Sequence, residues 1–253
     1  MQRFTDKRIL ITGGAGGIGQ ATAKHFLAEG ATVMLVDIDE EDLKTSAAEL
    51  GGERVHTHSA DVTQSEAVQA YVKAAVDKMG GIDVFFNNAG VEGVVKPIVD
   101  YPEETFRQVL HVNVLGVWLG LKYVIPHLEK GASIIITSSV AGQMGTPNVS
   151  AYVASKHAVI GLMRTAALEV AERGIRVNTV HPSPVDNRMM RSLEKGFAPD
   201  AAEQAKEDFA AQIPLQRYAT ETDVANLVLF LASEEASFLT GGQYNVDGGQ
   251  SAT

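Results

Sequence analysis

A single α/β domain, a doubly wound parallel sheet of about seven strands with helices on both faces, is the fold expected of this sequence. Three observations point to it. Short apolar runs of strand length alternate with amphipathic helical stretches along all 253 residues, which implies right-handed crossovers and a buried parallel sheet. No Pro/Gly/Ser-rich linker or internal repeat divides 1–253. Hydrophobic residues make up 45% of the chain and charged residues 21%, which suits one sizeable core and argues against disorder.

The elements follow in order. Ile9–Ile11 reads as the first strand, then a glycine-rich turn, then a helix through Ala21–Ala28 that Gly30 stops. Ala31–Val36 is the second strand and ends in Asp37, and Leu43–Leu50 is a helix closed by Gly51 and Gly52. Val55–Ser59 is the third strand, running out to Asp61-Val62. Thr63 or Gln64 opens a helix carrying Val68, Val72, Ala75, Val76 and Met79 at helical spacing. Ile82–Phe86 is the fourth strand and ends in Asn87-Asn88-Ala89-Gly90. A long helical region spans Glu103 to about Leu128, followed by a fifth strand at Ser133–Thr137. A helix over Ala151 to about Ala171 is closed by Gly174, and Ile175–Val180 is the sixth strand. A polar, helix-prone insert at 188–212, a helix at Asp223–Leu231 and a final strand at Gln243–Val246 complete the pattern.

Composition excludes several functions. The net charge is -10 and the pI near 5.2, so neither nucleic acid nor an anionic membrane is an expected partner. The absence of cysteine removes disulfides, thiolate catalysis and Cys-ligated metals. The polar start Met1–Arg8 leads into an apolar segment too short for a signal sequence, which makes a cytoplasmic setting the expectation.

In a doubly wound sheet the ligand site lies at the carboxyl ends of the strands, where the unusual residues of this chain fall. Gly13, Gly16, Gly17, Ile18 and Gly19 sit between the first strand and the first helix. Glycines there let the backbone approach a pyrophosphate, and the helix offers free N–H groups to the anion. Asp37, with Ile38 next to it, stands where a carboxylate accepts from the adenosine ribose hydroxyls and repels a 2′-phosphate. No Arg or Lys occupies Ala15-Gly16 or Ile38-Asp39, so NAD is the expected cofactor rather than NADP. The bland reading of Asp37 is a helix cap, a task open equally to Asp39 and Glu40.

Tyr152 and Lys156 are four residues apart on a predicted helix and share a face. A tyrosine titrates near pH 10, and a neighbouring cation favours its phenolate. By itself the pair is commonplace; Ser139 and Asn113 change its weight. Ser139 lies just past the fifth strand, where a hydroxyl can bond a substrate oxygen, whereas Ser138 reads as a turn or cap. Asn113 interrupts an apolar helical run and suggests a buried amide.

These residues together resemble the short-chain dehydrogenase/reductase family over essentially the whole chain. The motifs that carry the resemblance are Thr12-Gly13-x-x-x-Gly17-x-Gly19, Asp61-Val62, Asn87-Asn88-Ala89-Gly90, Asn113, Ser139 and Tyr152-x-x-x-Lys156, with Ser139 thirteen residues before Tyr152. The resemblance implies a Rossmann-type fold and hydride transfer between a nicotinamide and a substrate carbon without a metal. It implies Tyr152 as general acid/base, Ser139 as the group that polarises the carbonyl, and Lys156 as the holder of the nicotinamide ribose. Asn113 would anchor a water in a proton relay, Asp61 and Val62 would contact adenine, and Asn88, Ala89 and Gly90 would line the adenosine side. One stretch departs from the family pattern: in His181-Pro182-Ser183-Pro184-Val185-Asp186-Asn187, Ser183 and Asn187 stand where Gly and Thr are usual. Pro182, Val185 and Asn187 are still expected to meet the cofactor, through Val185's backbone and Asn187's amide.

A substrate site is expected from Ser139, Gln143, Met144, Tyr152 and Met189, with Val91, Glu92, Val94, Asn148, Val149 and Met190 as further candidates. His56, His58 and His157 read as structural or exposed, His181 as a residue near the cofactor, and Trp118 as core or interface. The expected reaction is NAD(H)-dependent interconversion of a small secondary, cyclic or polyhydric alcohol and its ketone. The rivals are a 3-oxoacyl-acyl-carrier-protein reductase and a non-catalytic dinucleotide sensor. The apolar helices around Val109–Leu121 and Val159–Leu168 correspond to helices that build dimers and tetramers in the family the chain resembles, so the resemblance implies a homotetramer.

Overall fold

The structure, a computed structural model, describes residues 2–252; Met1 and Thr253, the outer limits of the expected domain, lie outside the described residues. Seven parallel strands form one sheet in the order β3-β2-β1-β4-β5-β6-β7. They are β1 (Arg8–Thr12), β2 (Thr32–Asp37), β3 (Val55–Ser59), β4 (Ile82–Asn87), β5 (Leu128–Thr137), β6 (Arg176–Pro182) and β7 (Gln243–Val246).

Alternation along each strand builds two cores. Leu10, Met34, Phe85, Ile134 and Ile136 face one side, where they meet α3 (Ser65–Met79), α5 (Val117–Val124) and α6 (Ser150–Val170). Ile9, Ile11, Val33, Leu35, Phe86 and Ile135 face the other, against α1 (Gly17–Ala28), α2 (Glu40–Leu50) and α9 (Glu221–Ala232). Both faces are covered, so the inner strands read as mostly apolar runs, whereas the edge strands β3 and β7 carry polar residues and are half-buried.

Several boundaries differ from the sequence reading. Helix α1 begins at Gly17, four residues early, because glycines of low helix propensity form its first turn. Helix α2 begins at Glu40, where the Asp39 carboxylate accepts from the N–H groups of Glu41 and Asp42. Strand β5 starts at Leu128, not Ser133; Leu128 pairs with Ile82, and the register slips before Val84. The long helical region is not uniform: α4 (Glu103–Leu110) passes through a wide π turn at His111–Gly116 before α5. By length and composition, Glu103–His127 is the one helical run among the described residues able to cross a membrane; here 44% of its apolar window is buried inside the protein. The expected insert is two helices, α7 (Arg188–Phe197) and α8 (Ala202–Ala211), beyond β6.

Candidate active site

The sheet order reverses between β1 and β4, which opens a crevice at their carboxyl ends. The glycine-rich turn lines it. Gly13 has φ +64°, and a side chain there would press within 3.0 Å of the Ala89 backbone; a side chain on Gly19 would run into the Gly13 carbonyl. No side chain caps the first turn of α1 at Gly16. The Asp37 carboxylate accepts from Ala15 N at 3.0 Å and from Ile38 N at 2.8 Å. Asp37 therefore shapes the turn, and Asp39 is the helix cap. Ile38 is exposed at the same rim. The Asp61 carboxylate accepts from the backbone and hydroxyl of Thr63, and Val62 packs against Gly116 in the π turn.

A chain of hydrogen bonds ties this turn to the catalytic candidates. The Thr12 hydroxyl accepts from the N–H groups of Asn88 (3.0 Å) and Ala89 (3.2 Å). The Asn88 amide donates to the carbonyls of Thr12 and Gly13 and accepts from the Thr137 hydroxyl at 2.9 Å. The Thr137 carbonyl in turn accepts from Lys156 Nζ at 2.9 Å. Gly90 lies against both Asn113 and Lys156, where its lack of a side chain leaves room for them.

Tyr152 stands in the first turn of α6 and Lys156 one turn on, its Nζ 5.5 Å from the phenol ring centre. Lys156 is buried, and the same burial pushes its pKa down to about 8. Burial also pushes the Tyr152 phenol up to about 12; the Ser139 hydroxyl pulls it back and the Glu92 carboxylate adds to the rise. That direction is opposite to the expected lowering, because desolvation outweighs the Ser139 hydrogen bond.

Ser139, not Ser138, is the local cap: its hydroxyl accepts from Ala141 N at 3.2 Å. Ser138 is not a turn serine but a buried tie from the end of β5 to α6, donating to the Lys156 carbonyl at 2.9 Å. Asn113 is fully buried in the π turn. Its amide accepts from Val91 N at 2.8 Å and donates to Val91 O and to the Ser155 hydroxyl. Both of its N–H donors are thus engaged, and it fixes the loop after β4 to α6.

The remaining expected residues surround this cluster unevenly. Pro182 is buried, and its carbonyl accepts from the Ser139 hydroxyl at 3.4 Å. Val185 is buried and bridged to Ala219. The Asn187 side chain caps α7 by accepting from Met190 N. Met144 and Met189 are half-buried, whereas Gln143 is exposed and donates to Gln243 and Asn245 of β7. Glu92 is 7% exposed; its carboxylate lies 3.6 Å from the exposed Arg188 of α7. Asn148 holds φ +69°, and its carbonyl accepts from Lys96 N, joining two loops of the cleft.

Among the other histidines, His56 and His58 are half-buried on β3 and shifted downward by desolvation, while His157 is exposed and bonds the Val153 carbonyl of its own helix. Trp118 is 43% exposed under Lys122, which makes it a surface residue rather than core. No group of three His, Asp or Glu side chains gathers to hold a metal among the described residues. A groove of about 700 Å³ runs behind α1, lined by Gln20, Lys24, His25 and Glu221, away from Tyr152.

Sequence reasoning named Thr12 only as the first residue of the glycine motif and gave Thr137 and Ser155 no role. Their only signal was a hydroxyl at a strand end or three residues after Tyr152, which any turn or helix surface can also carry.

A family model described as enoyl-(acyl carrier protein) reductase matches residues 13–251. Levodione reductase of Leifsonia aquatica is 40% identical over 256 residues, covering 99% of this chain and 96% of that protein. A 3-oxoacyl-[acyl-carrier-protein] reductase of Thermotoga maritima is 39% identical over 251 residues, covering 98% of each. Among solved structures, levodione reductase superposes with a TM-score of 0.97 at 39% identity, covering 99% of this chain and all of that one. NAD+-bound xylitol dehydrogenase superposes with a TM-score of 0.91 at 33% identity, covering 98% of this chain and 100% of that one. By sequence, fold and the placement of its motifs, the chain belongs to the short-chain dehydrogenase/reductase family.

Proposed function

We propose that this protein is an NAD(H)-dependent oxidoreductase that interconverts a small secondary alcohol, cyclic or polyhydric, and its ketone. The observation that carries this reading is the convergence of Tyr152, Lys156 and Ser139 at the carboxyl edge of the sheet, one hydrogen-bonded chain away from the glycine turn. The turn fits a dinucleotide, because it is a cradle that a single Cβ on Gly13 or Gly19 would fill. Gly13, Gly16, Gly17, Ile18 and Gly19 would hold the pyrophosphate, and Asp37 with Ile38 the adenosine ribose. Asp61, Val62, Asn88, Ala89 and Gly90 would take the adenine side, and Pro182, Val185 and Asn187 the nicotinamide side. When bound, the cofactor supplies or accepts a hydride and adds positive charge in its oxidised form.

In reduction Tyr152 gives its phenolic proton to the substrate oxygen, and in oxidation it takes that proton back. Ser139 donates to the same oxygen, and Lys156 holds the ribose and favours the phenolate. Asn113 fixes the cleft wall through Val91 and Ser155. Glu92, a buried side chain near Tyr152, accepts from a second hydroxyl of the substrate, with Met144 and Met189 against its apolar part.

The acyl-carrier-protein reductase reading is favoured by the family model's description and the Thermotoga relative. Asp37 at the ribose and a net charge of -10 oppose it, since an acidic carrier and a 2′-phosphate would both be repelled. The sensor reading is opposed by an intact Asn113, Ser139, Tyr152 and Lys156. As assembly we propose a homotetramer that covers the exposed Trp118 and Leu168; a monomer in sedimentation at micromolar concentration would refute it.

The test is a turnover screen over secondary alcohols, cyclohexanols, polyols and acyl thioesters, with NAD and NADP in parallel. Turnover of an alcohol with NAD, abolished in Tyr152→Phe, is expected. Undiminished turnover by Tyr152→Phe removes the acid/base assignment, and faster rates with NADP remove the Asp37 argument.

A further inference from the structure

The geometry points to His181 as a positioning residue for Ser139, acting through the Ser139 carbonyl. The inference rests on the alcohol–ketone reading of the site. His181 is fully buried at the end of β6, beside the point where β5 gives way to the catalytic loop. Thr137 pairs with Val180, and Ser138 N still donates to the Val180 carbonyl at 2.9 Å. Beyond that bond the two chains part, and the ladder offers Ser139 nothing. The His181 ring fills the gap: its Nδ1 lies 3.0 Å from the Ser139 carbonyl oxygen. On the other side of the ring, Nε2 lies 2.8 Å from the Thr179 hydroxyl.

Elementary hydrogen bonding fixes the protons. A carbonyl only accepts, so Nδ1 must carry the hydrogen that it shares with Ser139. Burial keeps the ring neutral by holding its pKa below the ordinary histidine range, with the Lys156 charge adding to the shift. A neutral ring protonated at Nδ1 accepts at Nε2, and the Thr179 hydroxyl gives it its one hydrogen in preference to the Gly242 carbonyl, which is more distant at 3.3 Å. The result is a one-way relay: Thr179 hydroxyl to His181 Nε2, then His181 Nδ1 to the Ser139 carbonyl.

This relay bears on the reaction because it holds the peptide that carries the Ser139 hydroxyl. The Ser139 backbone is fully extended (φ -170°, ψ 163°), and its hydroxyl meets the Tyr152 phenol, the Ala141 N–H and, by a long bond, the Pro182 carbonyl. The Ser139 carbonyl accepts from two donors, the imidazole at 3.0 Å and the Gly142 N–H at 2.8 Å; without the imidazole the 139–140 peptide plane is held by the Gly142 N–H alone. Tilting of that plane about its one remaining bond carries the hydroxyl away from the substrate oxygen. His181 never touches substrate; its effect passes through one peptide plane.

The test uses side chains that keep or lose the donor at one ring position. An Asn amide nitrogen overlies imidazole Nδ1, whereas a Gln amide nitrogen overlies Nε2. In His181→Leu, kcat should fall about tenfold or more while the KM for NAD stays within about twofold, since a misplaced catalytic hydroxyl removes orientation and leaves the dinucleotide cradle intact. His181→Asn should recover kcat to within about threefold of wild type, and His181→Gln should remain as slow as His181→Leu. Equal rates in the Asn and Gln variants, or an unimpaired Leu variant, would overturn the inference. So would losses of kcat that merely follow the melting temperature. Nitrogen-15 NMR of the wild-type ring tests the relay without any turnover: Nδ1–H is expected, and an Nε2–H tautomer sinks it. Wild-type protein inert towards every alcohol and ketone would defeat the functional reading, and the tautomer would still decide the Ser139 contact.

Discussion

Replacing Lys156 with methionine should expose how much stability the fold gives up to keep a charge at the proposed active site. Lys156 is only 4% exposed, and burial pushes its pKa from the ordinary 10.5 down to about 8. A tenfold change in a protonation equilibrium is worth about 1.4 kcal/mol, so the charged form is disfavoured in the fold by about 3 kcal/mol. The sign follows from proton counting. Below pH 8 the lysine is charged both folded and unfolded, and the full penalty applies. Between about 8 and 10.5 the unfolded chain holds a proton that the folded protein has released, so stability rises with pH there. Between pH 7 and 9.5 this one group should return about 2 kcal/mol to the wild type and nothing to Lys156→Met. The variant also orphans the Thr137 carbonyl, a pH-independent loss of about 1–3 kcal/mol. Urea unfolding of both proteins, followed by Trp118 fluorescence at fixed protomer concentration, reads the difference directly. A stability difference that does not change between pH 7 and 9.5 would refute the desolvated lysine.

Three further outcomes follow from the same structure. Asn113→Leu breaks the three hydrogen bonds that join Val91 to α6 and should lower stability by about 2–4 kcal/mol, or about 5–15 °C in a calorimetric melt; a drop below about 2 °C contradicts a structural role. Asp37→Ala combined with Ile38→Arg should move the ratio of kcat/KM for NAD over NADP at least about tenfold towards NADP, by removing one carboxylate and adding a phosphate ligand; an unchanged ratio shows that another residue reads the ribose. Asp223 closes a capping box with Thr220 and pairs with Arg217, which hold its carboxyl down at about 2. Its stabilisation is present above its ordinary value near 3.8 and fades as pH falls towards 2, so Asp223→Ala should cost about 1 kcal/mol at pH 7 and progressively less below pH 4 in chemical denaturation; a constant deficit would contradict this.

The layer architecture was legible in the order of residues alone, and so was the choice of residues for the candidate site. Placement of the inner strands could be read because a sheet covered on both faces requires apolar runs on them, and Ile9-Leu10-Ile11 or Ile134-Ile135-Ile136 satisfies that locally. The glycine turn, Asp37, and the Tyr152–Lys156 pair could be read because their spacing within one turn or one helix is itself the chemistry. Other features depend on partners distant along the chain and emerged only with the folded molecule. The helix start at Gly17 hid behind glycines, two of which, Gly13 and Gly17, lie close to Ala89 and Glu221. The π turn around Asn113 exists because a buried amide reaches across to Val91 and Ser155, and local propensity carries no trace of that reach. The capping bond at Ser139, the buried tie at Ser138, the upward shift of Tyr152 and the imidazole held to Ser139 arise from burial and from neighbours brought in by the fold. Spacing encodes which groups can share a turn; desolvation and long-range hydrogen bonds exist only once the chain has closed around them.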